Sequence, residues 1–553
     1  MDVDSSSILS SRIAGPEMSI VLGRTSGSSV SYEGIDPNSP KIVKRSETVD
    51  KIISHLQTLN VVLIKSPPMT GKTSMATIVV DKLRESAKKK SLIISLSMVD
   101  LSRSDTNWDF VKQFESRSGL QWSELYTTSQ KRTIYIVFDE AQLIYNMKDE
   151  NGKLLPSHNS KVVWDSIKSI LSDISSDIKV LLFAAYGSSH QNAELSTPVQ
   201  FEAGKTMFGI DVMNYKDEEL REYVEKNLVV SNILSRHTSA SLNEDEFTVF
   251  CRNLKTMTGS HVGLCYATIN CLNDMFRSDM KYNTPVSPSQ VIQSVWHNKV
   301  FLALRNTRAL SVFQNVNIVE TEFLKKHFFN DLSSQNEDIS LALVRKGVLL
   351  ELDGKIVFSS PAMKRTFLES MVGPINRAQQ NPSSLQELVY LVMASIDYEH
   401  LKSSLGKSKS SEILLERAWQ MEFYKTALRC TANMFVSADV GGMFDTNGAI
   451  DFTIHSNNSN VFWGIELLRE SDRLSDHVER FKVDGRYKNL CKLFSSSCLI
   501  DFRRRETKEA NPRENSEALA ICDNLFILSY DTDFSNLICY SKEKPEGLAI
   551  SKI

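Results

Sequence analysis

Apolar and polar positions change their period along this chain, and each change marks an element. From Ser46 to Leu59 apolar residues recur at helical spacing, and Val61 to Lys65 is an unbroken apolar run of strand length. Helical pattern follows from Gly71 to Val80, and strand-like runs recur at Ser91 to Met98, Thr133 to Asp139 and Lys179 to Ser189. Strands alternating with helices in this way build a parallel sheet covered on both faces. After Val212 the pattern turns helical, with Lys216 to Leu228, Glu244 to Met257 and Val262 to Phe276 as the main helices. Helices and then a short hairpin turning at Asp353-Gly354 predict a winged-helix-like unit from about Val300 to Met371. Gly373 to Ser384 carries two prolines among polar residues and reads as a linker, beyond which a further α/β domain begins. The expected class is α/β multidomain. Its boundaries are a flexible leader at 1–45, a parallel-sheet unit at 46–211, a helical lid at 212–299, the winged-helix-like unit at 300–372, the linker at 373–384 and the last domain at 385–553.

The turn between the first buried strand and its helix carries the first chemistry. Ser66, Pro67, Pro68, Met69, Thr70, Gly71, Lys72, Thr73 and Ser74 lie where backbone N–H groups and a helix N-terminus converge on an anion. In a phosphate-binding loop of this form, Lys72, read as a solvent-facing loop lysine, reaches the outer phosphates of ATP or GTP, and Thr73 holds Mg²⁺ through its hydroxyl. Ser66 stands where the motif has its first glycine, and Pro67-Pro68 stiffen the loop. About sixty residues on, a second apolar strand ends in Asp139 and Glu140. Acids at the tip of a buried strand need a cation or a donor. Asp139 is placed to order water around Mg²⁺, and Glu140 to take a proton from the water attacking the γ-phosphate. Tyr186, Ser188, Ser189 and His190 close the last strand of the sheet, where one of them could sense that phosphate or merely cap a loop.

Composition narrows the class without naming it. At 553 residues the chain divides into roughly three or four domains. Its net charge of −3 supplies no global field for nucleic acid, so DNA binding needs a local basic surface or a metal bridge. Eight cysteines without C-x-x-C spacing predict buried thiols in a reducing compartment. No apolar run is long enough to span a bilayer and the first residues lack a signal's order, so no membrane partner and an intracellular place of action are expected.

The last domain carries a second set of acids. On the helix within Ser410 to Met434 the apolar face runs through Leu415, Trp419 and Thr426, and Glu422 lies on that face while Glu416 turns away. The strands Gly448 to Ile454 and Val461 to Arg469 place Asp451 beside Glu466 across a polar turn. Two like charges so close repel, and a divalent cation is the usual remedy. His477 and Arg480, three apart on the next helix, could face the acids or water.

These residues resemble two known systems. Helices after Val212, with Thr258-Gly-Ser-His261-Val-Gly263 between them, are similar to the lids of AAA-type and STAND-type NTPases. Glu422, Asp451 and Glu466 resemble the Mg²⁺-holding acids of PD-(D/E)XK nucleases, although the lysine expected two residues after the glutamate is Leu468. The succession SPPMTGKTS, VFDEAQ, FSSPAM, GAIDFTI, WGIELLRE and DHVERF resembles the C-terminal region of Crinkler effectors and retrotransposon-hot-spot-type proteins. That resemblance implies an NTPase controlling a Mg²⁺-dependent DNA endonuclease, with Glu140, Glu422, Asp451, Glu466, His477 and Arg480 catalytic. It implies action in the nucleus, by a resident protein or by an effector delivered to a host cell, and allows a homo-oligomer. The Crinkler header is not present in this sequence. Leu468 keeps a second expectation open, a nucleotide-switched interaction or DNA-binding protein whose nuclease-like domain is inert.

Overall fold

The computed structural model describes residues 20–22, 35–86, 91–99, 109–144, 147–148, 154–155, 158–172, 177–185, 201–202, 204–231, 245–328, 337–352, 355–372, 378, 380–403, 416–432, 434–440, 450–456, 461–492, 494–505 and 512–552. Tyr186, Ser188, Ser189, His190 and the Asp353-Gly354 turn lie outside them.

Six parallel strands form the first sheet: β1 (Ile20–Leu22), β2 (Val61–Lys65), β3 (Leu92–Ser97), β4 (Ile134–Asp139), β5 (Ile178–Ala184) and β6 (Met207–Phe208), in the order β1-β3-β4-β5-β2-β6. Strand alternation divides their side chains between two cores. Val62, Ile64, Val137 and Phe183 pack beneath α1 (Ser46–Leu59) and α2 (Lys72–Ser86), while Val61, Leu63, Phe138 and Leu182 face Phe110, Phe114 and Trp164. Both faces are therefore dry, which is why these strands read as continuous apolar runs. Because β5 lies between β2 and β4, the turn after β2 and the acids after β4 open on the same edge, one strand apart.

The stretch expected to be a leader is partly structural. Ile20–Leu22 extends the sheet by pairing with the otherwise open side of β3. Arg45, at the mouth of α1, is buried: its guanidinium donates to Glu219 at 2.9 Å and to the carbonyls of Val212, Met213 and Asn214. Thr48 donates to the other Glu219 oxygen at 2.6 Å. A buried charge is tolerable when every donor is so answered, and this one fastens the sheet to the helices that follow.

Those helices include α3 (Asp217–Asn227), α4 (Glu246–Thr258), α5 (Val262–Tyr282) and α6 (Asn298–Arg305). The next unit has α7 (Ile318–Phe328), α8 (Glu337–Lys346), the antiparallel pair β7 (Leu349–Leu352) and β8 (Lys355–Phe358), and α9 (Pro361–Val372). The two units share one core, in which Leu254, Leu264 and Phe301 meet Leu343, Leu349 and Phe367.

The last domain centres on a seven-stranded sheet, β9 (Phe435–Val440), β10 (Ile450–His455), β11 (Phe462–Arg469), β12 (Ser496–Arg504), β13 (Leu525–Tyr530), β14 (Leu537–Ser541) and β15 (Lys544–Ala549), hydrogen-bonded in chain order. β9, β10 and β11 are antiparallel; β11, β12 and β13 are parallel. Helices α10 (Leu385–Ser395), α11 (Tyr398–Ser403) and α12 (Glu416–Cys430) precede it, and α13 (Leu474–Arg480) follows β11. Phe435 leaves its own sheet to join the core of the preceding units, against Trp296 and Phe301. The buried Arg365 lies over Phe301 and Phe435, at 3.8 and 4.8 Å from their centroids, and His455 stacks on Trp296. All eight cysteines are free thiols, and no described helix is long and apolar enough to cross a membrane.

Candidate functional site

The turn after β2 is held from three directions. Within it, Ser66 and Thr70 share a hydroxyl hydrogen bond of 2.6 Å, and Thr70 donates to the Pro67 carbonyl. Met69 and Gly71 have φ of 63° and 83°, the left-handed conformations that let successive N–H groups turn inward. The start of α5 supplies a second wall. His261 caps that helix by accepting from Leu264 N–H and also bonds the Pro68 backbone, while a Cβ on Gly263 would come within 2.5 Å of the Met69 carbonyl. Gly347, at the end of α8, supplies a third: a Cβ there would come within 2.7 Å of the Pro67 ring. The glycine-containing turn expected near the nucleotide is therefore on the loop itself.

Lys72 is not the solvent-facing residue expected. It is 8% exposed and donates to the Ser66 carbonyl at 3.0 Å and the Pro67 carbonyl at 2.8 Å. Burial draws its pKa down to about 8 against the opposing charges of Glu140 and Asp139. Arg308, in the turn after α6, also pushes it down. Thr73 hydrogen-bonds Asp139, whose carboxyl burial raises above the ordinary range and the Thr73 bond draws back. Glu140 has φ of 55°, its N–H donates to Asp139 at 3.0 Å, and its carboxylate accepts from the Gln142 amide. Gln142 in turn accepts from Ala185 N–H at 2.9 Å, so the acid is aimed by a residue tied to the end of β5. Ser74 lies in the first turn of α2.

These residues fit a magnesium–nucleotide ligand. A buried ammonium satisfied only by loop carbonyls can exchange them for phosphate oxygens, and a threonine hydroxyl beside a buried carboxylate is an oxygen pair suited to Mg²⁺. Gln142 and Arg308 were not singled out by sequence. Gln142 lay in view within the VFDEAQ run, whereas Arg308 follows the loop so far along the chain that no local pattern links them.

In the last domain Asp451 and Glu466 do meet, as the alternation predicted: the Asp451 N–H points to Glu466 Oε2 at 3.4 Å, and Leu467 N–H donates to Asp451 Oδ2 at 2.6 Å. His477 and Arg480 also reach the site. Arg480 Nη1 donates to Glu466 Oε1 at 2.7 Å, His477 Nδ1 lies 3.0 Å from it, and the Tyr487 hydroxyl donates at 3.1 Å. Glu422 is a correction. It is 1% exposed, yet it pairs with Lys425 at 3.0 Å and lies 3.7 Å from His400 of α11. The reason is that α12 is covered on both sides, by the sheet and by α10 and α11, so a buried face need not be the sheet's face. Gln420 takes the place expected of Glu422, donating to Asp451 Oδ1 at 2.9 Å and to Glu416 at 3.3 Å. Burial raises the Glu416 carboxyl, and the charges of His477 and Arg469 oppose it.

Magnesium does not fit this second site as it stands. Glu466 is already surrounded by three donors, Asp451 accepts from two, and no group of three metal-holding side chains is assembled among the described residues. The Arg480 guanidinium occupies the role a cation would have.

No family model matches the chain, and no curated protein matches it. Among solved structures it is similar to a Walker-type ATPase of Pyrococcus abyssi, at 11% identity over 59% of this chain and 96% of that one, with a TM-score of 0.30. It is similar at 14% to a chain of an E. coli HORMA, CdnC and Trip13 complex, covering 48% and 92%, with a TM-score of 0.33. A mutant RuvB of Thermotoga maritima matches at 11% over 58% and 96% less two parts in the hundred, that is 94%, with a TM-score of 0.26. At such scores the likenesses decide nothing; strand order and loop geometry make the first unit a P-loop NTPase core.

Proposed function

We propose that the chain is a nucleotide-hydrolysing switch whose last domain binds nucleic acid. The observation that carries the first half is the Lys72, Thr73, Asp139 and Glu140 cluster on one sheet edge, in a loop clamped by His261, Gly263 and Gly347. With ATP or GTP as substrate, Lys72 turns from the Ser66 and Pro67 carbonyls to the outer phosphates. Thr73 and Asp139 would hold Mg²⁺, which when bound offsets phosphate charge. Glu140 orients the attacking water and accepts its proton, with Gln142 fixing the carboxylate. Arg308 brings a positive charge to the same edge from outside the sheet, so the units beyond α5 respond to whether the outer phosphate is present. Hydrolysis of ATP and GTP by the parent and by Glu140→Gln tests this: binding without turnover in the variant is expected, and equal turnover would sink it.

Metal-dependent DNA cleavage is the second reading. The adjacency of Asp451 and Glu466, with Glu416 beside them, favours it. The Arg480, His477 and Tyr487 cage and Leu468 favour a domain that binds without cutting. Nicking of a supercoiled plasmid in Mg²⁺, with and without nucleotide, separates the two.

A further inference from the structure

We propose that residues 480–492 form a docking surface for a nucleic-acid backbone, with Val483 as an apolar wedge at its tip. This rests on the reading of the last domain as a nucleic-acid binder and assigns the surface that reading lacks. The segment, RFKVDGRYKNLCK, holds five basic residues against one acid in a chain of net charge −3. Its inward residues are those already described: Tyr487 donates to Glu466, and with Leu490 it buries Ile450. Its outward residues are Lys482, Val483, Asp484, Arg486, Lys488 and Lys492, all exposed.

Three features separate this surface from an ordinary solvated turn. Arg486, Lys488 and Lys492 make no ion pair among the described residues, so their mutual repulsion is unanswered within the chain; only Lys482 is paired, with Glu479. Val483 is 90% exposed at the apex, where nothing in the protein covers it. The apex is also fixed. Gly485 N–H donates to Lys482 at 2.8 Å, Tyr487 N–H donates to Arg480 at 2.9 Å, and a Cβ on Gly485 would come within 2.3 Å of the Glu479 carbonyl. A rigid apolar tip flanked by unpaired cations suits a polyanion with stacked apolar bases, where the cations follow phosphates and the tip enters a base step. One valine buries too little to anchor a membrane, whose surface would otherwise suit the charge.

Anisotropy of a fluorescein-labelled 30-base-pair duplex with the full chain, across a KCl series, tests the surface. Arg486→Ala/Lys488→Ala/Lys492→Ala, with an unfolding curve matching the parent's, should bind at least tenfold more weakly, with a log–log salt slope shallower by about 2 to 3. Val483→Ser should keep the parental slope but abolish the fluorescence rise of 2-aminopurine placed in the duplex. A triple variant that binds with parental affinity and slope overturns the surface while leaving nucleic-acid binding standing. A Val483→Ser protein that keeps the 2-aminopurine rise overturns the wedge. If the parent binds phosphatidylserine vesicles and neither duplex, single-stranded DNA nor RNA, the surface and the reading beneath it fall together.

Discussion

The Lys72 ammonium donates to the Pro67 carbonyl at 2.8 Å, inside a loop that closes around it. Its removal therefore has two effects. Lys72→Ala should weaken nucleotide binding by more than tenfold in calorimetry. It should also lower stability by about 1–2 kcal/mol in denaturant titration, because two buried carbonyls lose a charged donor. A variant of parental stability would mean that the loop does not depend on this lysine.

Gln142 should act through Glu140 rather than on substrate. Gln142→Ala frees the carboxylate to rotate, so turnover should fall about tenfold at unchanged nucleotide affinity, within the range general-base positioning supplies. Gln142→Glu, which keeps the length but repels Glu140, should not rescue it. Equal loss of affinity and turnover would instead indicate damage to the sheet edge.

Two buried histidines set a pH dependence. Burial holds His261 down to about 4 and His455 well below the ordinary 6.5, so both are neutral in the folded chain. Below about pH 6.5 the unfolded chain binds more protons, so stability is complete above that pH and is lost as pH falls towards the folded values. For His261 the loss at pH 5 is about 2 kcal/mol. Unfolding midpoints at pH 7 and pH 5 should converge in His261→Asn, which keeps a capping side chain. An undiminished gap would place the titration elsewhere.

Glu466→Gln distinguishes a caged acid from a solvated one. In the cage, Arg480, His477 and Tyr487 lose the charge they face, and stability should drop by about 1–3 kcal/mol. Two repelling surface acids would give the opposite sign. A gain in chemical-denaturation midpoint would remove the cage from this account.

The P-loop and the acids after β4 were legible because each follows an unbroken apolar run, and a dry parallel sheet leaves its polar residues only at strand ends. Asp451 and Glu466 were legible because a two-residue period across one turn fixes which positions meet. Glu422 misled because a helical wheel reports burial and not the neighbour doing the burying; Gln420, a neutral residue, offered no signal. The burial of Lys72 was hidden for a similar reason, since the walls that enclose it come from α5 and α8. Residues 20–22 gave too short a run to stand out from the serines and glycines around them.

Phe435 stands in β9 of the last domain and is buried in the core of the units before it. Cutting the chain at the linker would thus not release two finished pieces: one would lose the plug from its core, and the other would present Phe435, His455 and Phe462 to water as a sticky patch. The domain that meets nucleic acid and the domain that turns over nucleotide are mechanically a single part, so movement in one has no slack through which to escape the other.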